Sequence, residues 1–347
     1  MANLVIITQR VDEADDILGF FVDWVREFAQ HYNQVSVITL ATGRYDLPVN
    51  VKVYSLGKER GRSKIFWPFI LYWRLFQLVP KSDGIFAHMS PLFAISAWPV
   101  AFVFNKRIIL WYLHKSVTAR LKLANILSSR IVTANRDSLY LKSQKIVEVG
   151  HGIDIEKFQC IRIWNNKEVN ILSVGRISPI KNYETLISAV SQIDYPSLKI
   201  SIIGRPFYSH DDEYEARLKR MVNDLNLGDR VKFSGFISHN EIAPYYCQAQ
   251  ICVGLTPKGG IDKVILEAMA AGCLVLTSNS VMAKYLGDYA GQLTFNHDDA
   301  SHLKEKLENL FALPAIEKEK ISRYLRESVR KYHSLSNCVN RITSLFK

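Results

Sequence analysis

Short runs of β-branched and aliphatic residues alternate along the chain with longer segments whose apolar positions recur every three or four residues. In the first half, Leu4–Thr8, Val35–Leu40, Val51–Tyr54, Gly84–His88, Arg107–Tyr112, Ile131–Thr133 and Lys145–Val149 read as strands. Gly19–Tyr32 reads as an amphipathic helix, and Ile65–Val79, Pro91–Phe104 and Ala119–Ser128 as further helices. The alternation pauses at the turn-forming Gly150-His151-Gly152-Ile153-Asp154 and the polar Asn165-Asn166-Lys167, which predicts a hinge. It restarts with strands at Val169–Val174, Leu198–Ile203, Val231–Phe233, Ile251–Leu255, Leu274–Thr277 and Gln292–Phe295. Helices fall between them at Tyr183–Gln192, Glu213–Asn226, Glu241–Gln248 and Lys263–Ala271, and the chain ends in helices from Ala300 onward. This pattern predicts an α/β protein with two doubly wound, parallel-sheet domains, residues 1–160 and 161–325. Open parallel sheets bind ligands beyond the carboxyl ends of their strands. Two such domains facing each other across a central cleft place one substrate on each side, a geometry for group transfer.

Composition narrows the class. A chain of 347 residues exceeds what one core organises, and 48% hydrophobic against 22% charged residues excludes disorder and collagen-like or disulfide-scaffold architectures. The net charge of +11 implies an anionic partner: nucleic acid, an acidic membrane face or phosphorylated substrates. No helix-turn-helix, zinc-finger or RNP signature supports nucleic acid. Cys160, Cys247, Cys252, Cys273 and Cys338 are an odd, scattered set without CxxC or zinc-ligand spacing, which predicts structural thiols in a reducing compartment. A strand at the N-terminus in place of a secretory leader predicts action on the cytoplasmic side. The apolar stretches at 65–79 and 91–104 are shorter than the roughly 20 residues a spanning helix needs. Lys58, Arg60, Arg62 and Lys64 precede Phe66, Trp67, Phe69, Tyr72 and Trp73, however. Residues 58–79 therefore read either as a helix lying on an anionic membrane or as an interior helix behind a solvated basic loop.

Two constellations carry chemistry. In Val174-Gly175-Arg176-Ile177-Ser178-Pro179-Ile180-Lys181-Asn182, a glycine after a strand lets backbone approach a ligand, and Arg176 and Lys181 are spaced to converge on one diphosphate. Alternatively they are two solvated basic residues on a loop. Gly259 through Gly272 again links strand to helix: Gly259 and Gly260 expose amides at a helix start, and Glu267 lies one turn further in among apolar residues. A carboxylate there needs hydrogen-bond donors, and ribose hydroxyls are suitable. Asp15-Asp16, Asp211-Asp212 and Asp298-Asp299 lie in polar loops or helix starts, where capping explains them better than a metal pair.

Together the two constellations resemble the retaining glycosyltransferase family 4, of the two-Rossmann GT-B fold. The resemblance rests on SVGRISPIKN (173–182), ISIIG (200–204), VKFSGF (231–236) and LEAMAAGCLV (266–275), in order across nearly all of the second half. The first half matches more loosely, through His88-Met89-Ser90-Pro91, Trp111-Tyr112-Leu113-His114 and His151-Gly152-Ile153-Asp154. The resemblance implies a hexosyl- or N-acetylhexosaminyltransferase using a nucleotide-diphosphate sugar and a glycan or lipid-linked acceptor, without metal or cofactor. It implies that Arg176 and Lys181 hold the donor diphosphate, that Glu267 holds the ribose and that His114 contacts the transferred sugar. Phe236 and Ile237 then lie against the base, Gly260 and Val264 line the donor site, and Gly19 lets the first loop approach the phosphate with a reduced glycine signature. The resemblance also implies that the C-terminal residues 326–347 form a helix packing back across the hinge. The family has a first glutamate where this chain has Gly259, which leaves Asp262 or Lys263 to contact sugar or phosphate, or Asp262 to cap its helix. That departure also admits a non-catalytic, transferase-like partner protein. A sugar-nucleotide epimerase of the same fold is disfavoured by the GR…KN and LEAMA segments.

Overall fold

The computed structural model describes residues 3–164, 168–195, 197–208, 211–257 and 259–347; the polar break at Asn165–Lys167 lies outside the described residues. Two compact units emerge. Unit 1 comprises Met1–Gly152, Ser238–Asn240 and His333–Lys347, and unit 2 comprises Ile153–Ile237 and Glu241–Tyr332.

Unit 1 runs β1 (Asn3–Val11), α1 (Phe21–His31), β2 (Gln34–Thr42), β3 (Val51–Ser55), α2 (Trp67–Leu78), β4 (Gly84–His88), α3 (Pro91–Val103), β5 (Arg107–Trp111), α4 (Ala119–Leu127), β6 (Arg130–Thr133) and β7 (Ile146–Glu148). Its seven strands pair in parallel in the order β3-β2-β1-β4-β5-β6-β7. Helices cover both faces of such a sheet, so central strands are apolar on both sides; all five residues of β4 are buried. Helix α1 forms because Phe21, Val22, Trp24, Val25, Phe28 and Ala29 recur at helical spacing and all face inward. Helix α4 starts where the Thr118 hydroxyl accepts the Leu121 N–H at 3.2 Å.

Unit 2 runs β8 (Val169–Val174), α5 (Tyr183–Ser191), β9 (Leu198–Ile203), α6 (Asp211–Asp224), β10 (Val231–Phe233), α7 (Ala243–Gln248), β11 (Ile251–Gly254), α8 (Lys263–Ala270) and β12 (Leu274–Thr277). Then follow α9 (Ala283–Leu286), α10 (Ala290–Leu293), α11 (Ala300–Ala312) and α12 (Ala315–His333); α13 (Leu335–Ser344) belongs to unit 1 and packs on α1. The five strands are parallel in the order β10-β9-β8-β11-β12. In both sheets the winding reverses direction beside the first strand, between β1 and β4 and between β8 and β11. These are the topological switch points where open α/β sheets hold ligands.

Two expectations are corrected. Gln292–Phe295 is not a strand: Ala290–Leu293 forms a helical turn, the Thr294 hydroxyl donates to the Ala290 carbonyl at 2.7 Å, and only a single bridge, Thr277 to Thr294, remains. The cysteines are not all thiols: Cys160 and Cys247, 87 residues apart, form a disulfide, whereas Cys252, Cys273 and Cys338 are free and buried. Spacing could not reveal this pair, because packing of the segment before β8 against α7 brings it together. Helix α2 buries Leu71 and Leu75, and Trp67, Ile70, Tyr72 and Leu78 pack partly buried against the core of unit 1. No helix among the described residues is long and apolar enough to cross a membrane.

Candidate donor site at the switch point of unit 2

The floor of the crevice is glycine. Gly175 and Gly204 follow β8 and β9, each at φ +152°, a conformation other residues rarely adopt. A Cβ on Gly204 would lie 1.9 Å from the Gly175 carbonyl oxygen, so the two strand ends touch only because Gly204 lacks a side chain. The Tyr183 hydroxyl, on α5, donates to that same carbonyl at 3.0 Å. Burial raises the Tyr183 pKa, helped by Tyr214 and Asp262 nearby, so the phenol stays protonated and able to donate.

Lys181 spans the switch point. Its stem lies over Gly175, where a Cβ would sit 2.8 Å from Cε, and its Nζ donates to Thr256 Oγ1 at 2.8 Å, beyond the end of β11. Arg176 turns the other way, towards the loop after β9: its exposed guanidinium stands 5.6 Å from the centroid of the Phe207 ring. The two cations thus flank Gly175, one on each side. Phe236 and Ile237 follow β10 half-buried, and the Arg205 guanidinium lies 4.9 Å from the Phe236 ring centroid.

The glycine loop enters α8 opposite. The Asn279 amide, just past β12, donates to the Gly260 carbonyl at 2.9 Å and fixes the loop. Asp262 occupies the N-cap position but makes no capping bond. Its Oδ2 would lie 3.4 Å from a Cβ on Gly254, placing the carboxylate over the end of β11. Val264, half-buried, completes the first turn. Glu267 is buried at 5% exposure, with Oε1 2.7 Å from Lys263 Nζ and Oε2 accepting from the Tyr246 hydroxyl at 2.9 Å. Burial and then the adjacent carboxylate push the Tyr246 phenol far above its usual range, so it remains a donor. The charge of Lys263 is directed at Glu267, and a carboxylate with about four acceptor positions keeps capacity for further donors.

Behind α7 and α8, Arg162 gathers carbonyls. Its guanidinium donates to Tyr246 O at 2.7 Å, Cys247 O at 3.1 Å and Ala271 O at 2.9 and 2.8 Å, to Ala249 O, and to Cys273 Sγ at 3.0 Å. This satisfies the unpaired carbonyls at two helix ends with one cation. The disulfide Cys160–Cys247 anchors the same segment two residues earlier.

Gly19 and His114 lie in unit 1. Gly19 donates its N–H to the Asp15 carbonyl at 3.1 Å, and a Cβ there would meet the Asp15 and Glu13 carbonyl oxygens at 2.8 Å. Asp15 organises this loop, its carboxylate accepting from Ile17 N–H, Leu18 N–H and Arg10 at 2.8–3.0 Å. Burial alone would raise its pKa, but those amides and Arg10 outweigh it and hold the group below the usual carboxylate range. Asp299 similarly caps α11 by accepting the His302 N–H at 2.8 Å, and Asp211 accepts the Tyr208 N–H at 3.2 Å. His114 is exposed beyond β5, and its Nδ1 accepts the Ser116 N–H at 3.0 Å, which leaves the proton of the neutral ring on Nε2. At the switch point of unit 1, Thr8 and His88 bridge β1 and β4 through Oγ1 and Nδ1 at 3.0 Å. The His88 ring stacks on Phe21 at 3.6 Å, and complete burial lowers its pKa to about 3.

Sequence reasoning missed Thr256, Asn279, Tyr183 and Tyr246. Thr256 and Asn279 each stand two residues past an apolar strand, a signal that places polar side chains at the ligand end of the sheet. Tyr246 carries no such signal, being 21 residues from the glutamate it contacts.

Comparison with known proteins places the chain in a family. Residues 154–329, just over half of the chain, match the model of the family described as glycosyl transferases group 1. Human GDP-Man:Man(3)GlcNAc(2)-PP-Dol alpha-1,2-mannosyltransferase is 25% identical over 190 residues, 51% of this chain and 38% of that protein. Alpha-monoglucosyldiacylglycerol synthase of Streptococcus pneumoniae is 27% identical over 222 residues, 58% of this chain and 48% of that protein. The matches therefore span less than half the length of either relative. Among solved structures, HepE of Anabaena in complex with UDP superposes with a TM-score of 0.77 at 15% identity, covering 99% of each chain, which shows a shared GT-B fold. With the family model covering most of unit 2, including both constellations around its switch point, the chain belongs to the glycosyl transferases group 1.

Proposed function

We propose that the protein is a retaining, metal-independent glycosyltransferase that moves a sugar from a nucleotide-diphosphate sugar to a glycan or lipid-linked acceptor. The observation that carries this reading is the Lys181–Thr256 bond across the β8/β11 crevice, over a glycine floor and facing the start of α8. A diphosphate entering there exchanges Thr256 for phosphate oxygen at Lys181 Nζ and meets the amides at the start of α8. Arg176 swings from Phe207 to complete the charge. Glu267 accepts ribose hydroxyls while Tyr246 and Lys263 hold its carboxylate, and the Phe236–Ile237 segment lies along the base. UDP in the HepE complex and the GDP-Man in the human relative's name support a nucleoside diphosphate as leaving group.

In the reaction, the anomeric C–O bond breaks and its electron pair leaves with the diphosphate. The acceptor hydroxyl attacks the same face, and its proton passes to a departing phosphate oxygen. Lys181, Arg176 and the helix amides stabilise the growing negative charge without a metal. The relatives' names contain a PP-Dol-linked glycan and a diacylglycerol, which supports a lipid-linked acceptor. The test is a panel of UDP- and GDP-sugars scored by thermal stabilisation, slow hydrolysis in the presence of EDTA, and the anomeric configuration of the product. Stabilisation by one nucleoside diphosphate with EDTA-resistant, retained product is expected. No stabilisation by any member sinks the reading.

A further inference from the structure

We infer that α2, with the C-terminal end of α3 and the outer side of α4, forms a docking face for an anionic lipid bilayer. Helix α2 is apolar all round, a composition normally found in interior helices. Here one stripe, Leu71 and Leu75, packs into the core of unit 1, while the opposite stripe stands in solvent. Phe66, Phe69, Trp73 and Phe76 recur at helical spacing with 56%, 72%, 57% and 55% exposure. The stripe continues onto the neighbouring helices. Phe76 meets Phe104 edge-on at 6.4 Å, Phe102 and Val103 are exposed at the end of α3, and Leu123 and Ile126 project from α4.

Charge selects the occupant. Residues 58–130 contain twelve lysines and arginines against two acids, Glu59 and Asp83, so this stretch carries +10 of the chain's +11. Glu59 accepts from the Ser55 hydroxyl and Asp83 from the Asn3 amide, so both acids already serve local structure. Lys58, Arg60, Arg62 and Lys64 are exposed immediately before the aromatic stripe. Arg74, the one charge within α2, lies 4.4 and 4.2 Å from the Tyr54 and Trp73 ring centroids, its stem along apolar surface. A second copy of this face would bring like charge against like charge. Nucleic acid would want the cations central and the aromatics as stacking platforms, but here aliphatic and aromatic groups form the ridge and the cations precede it. A bilayer accepts both, apolar ridge into the acyl boundary and cations onto anionic headgroups. At about 1.5 Å per residue, α2 is roughly 18 Å long, too short to span, so it lies in the plane of the surface.

The inference does not rest on the donor-site reading, because the face belongs to the other unit and vesicle binding is read without turnover. The experiment is flotation of the full chain with phosphatidylcholine vesicles, with and without phosphatidylglycerol, at low and high salt. Binding to the anionic vesicles, weakened by salt, is expected. Phe69→Ser with Trp73→Ser, and separately Lys58→Glu, Arg60→Glu, Arg62→Glu and Lys64→Glu together, should each lower partitioning about tenfold or more. Unchanged thermal unfolding of the variants shows that they fold, since every substituted side chain is exposed. Wild-type protein that stays off anionic vesicles, or variants that float like wild type, overturn the proposal. So does light scattering that shows a dimer which the Phe69→Ser/Trp73→Ser variant dissociates.

Discussion

The two sheets share a winding order around their switch points, yet they furnish those points in opposite ways. In unit 1 the crevice between β1 and β4 is closed by a neutral histidine sandwiched against Phe21 and bonded to Thr8. In unit 2 the crevice between β8 and β11 is cleared by Gly175 and bridged by a cation. Topology supplies a place where ligands fit, and the side chains decide whether that place is filled by the protein or left for an anion.

The contrast can be broken most severely at Lys181. Lys181→Ala should cut glycosyl transfer or donor hydrolysis by about 10²–10³-fold, on the scale of losing one transition-state charge stabiliser, while unfolding is barely altered. Turnover equal to wild type would falsify the diphosphate role. Next in size is Gly204→Ala, which drives a Cβ into the Gly175 carbonyl and should cost about 2–4 kcal/mol of unit 2 stability. Calorimetry should show that transition move while the unit 1 transition stays in place. Tyr246→Phe removes one donor from the buried Glu267 carboxylate and should cost about 1–3 kcal/mol, with weaker nucleotide binding. An unchanged melting temperature would show that the carboxylate does not need the Tyr246 hydroxyl. The remaining effect belongs to unit 1 and grows with acidity. Its His88 has a folded pKa near 3, below the unfolded value of 6.5, so its stabilising contribution is complete above pH 6.5 and drains away as the pH falls towards 3. Stability should fall by roughly 1 kcal/mol per pH unit across that window, and His88→Gln should flatten the slope.

The strands and most helices were legible because buried parallel strands are apolar on both faces and helices such as α1 carry clean periodicity. Gln292–Phe295 misled because four residues with two apolar side chains fit a strand or a helical turn equally well, and Thr294 settled the matter through a local bond. Arg176, Lys181 and Glu267 were visible in the sequence as charged residues within glycine-containing strand-to-helix segments. Their partners were not, since Thr256 and Tyr246 are brought to them by sheet order and by α7 packing, which no local pattern encodes. The burial of Glu267 was anticipated in part, but its protein donors were assigned to ribose alone. The cysteine pair was invisible for the same reason as Tyr246, its immediate neighbour.

That neighbourhood has a mechanical meaning. Tyr246 offers its carbonyl to Arg162 and its hydroxyl to Glu267, and Cys247 next to it is welded to Cys160. The stretch 160–162 is therefore a handle rather than a slack tether. Through one tyrosine it is tied to the carboxylate beside the glycine loop.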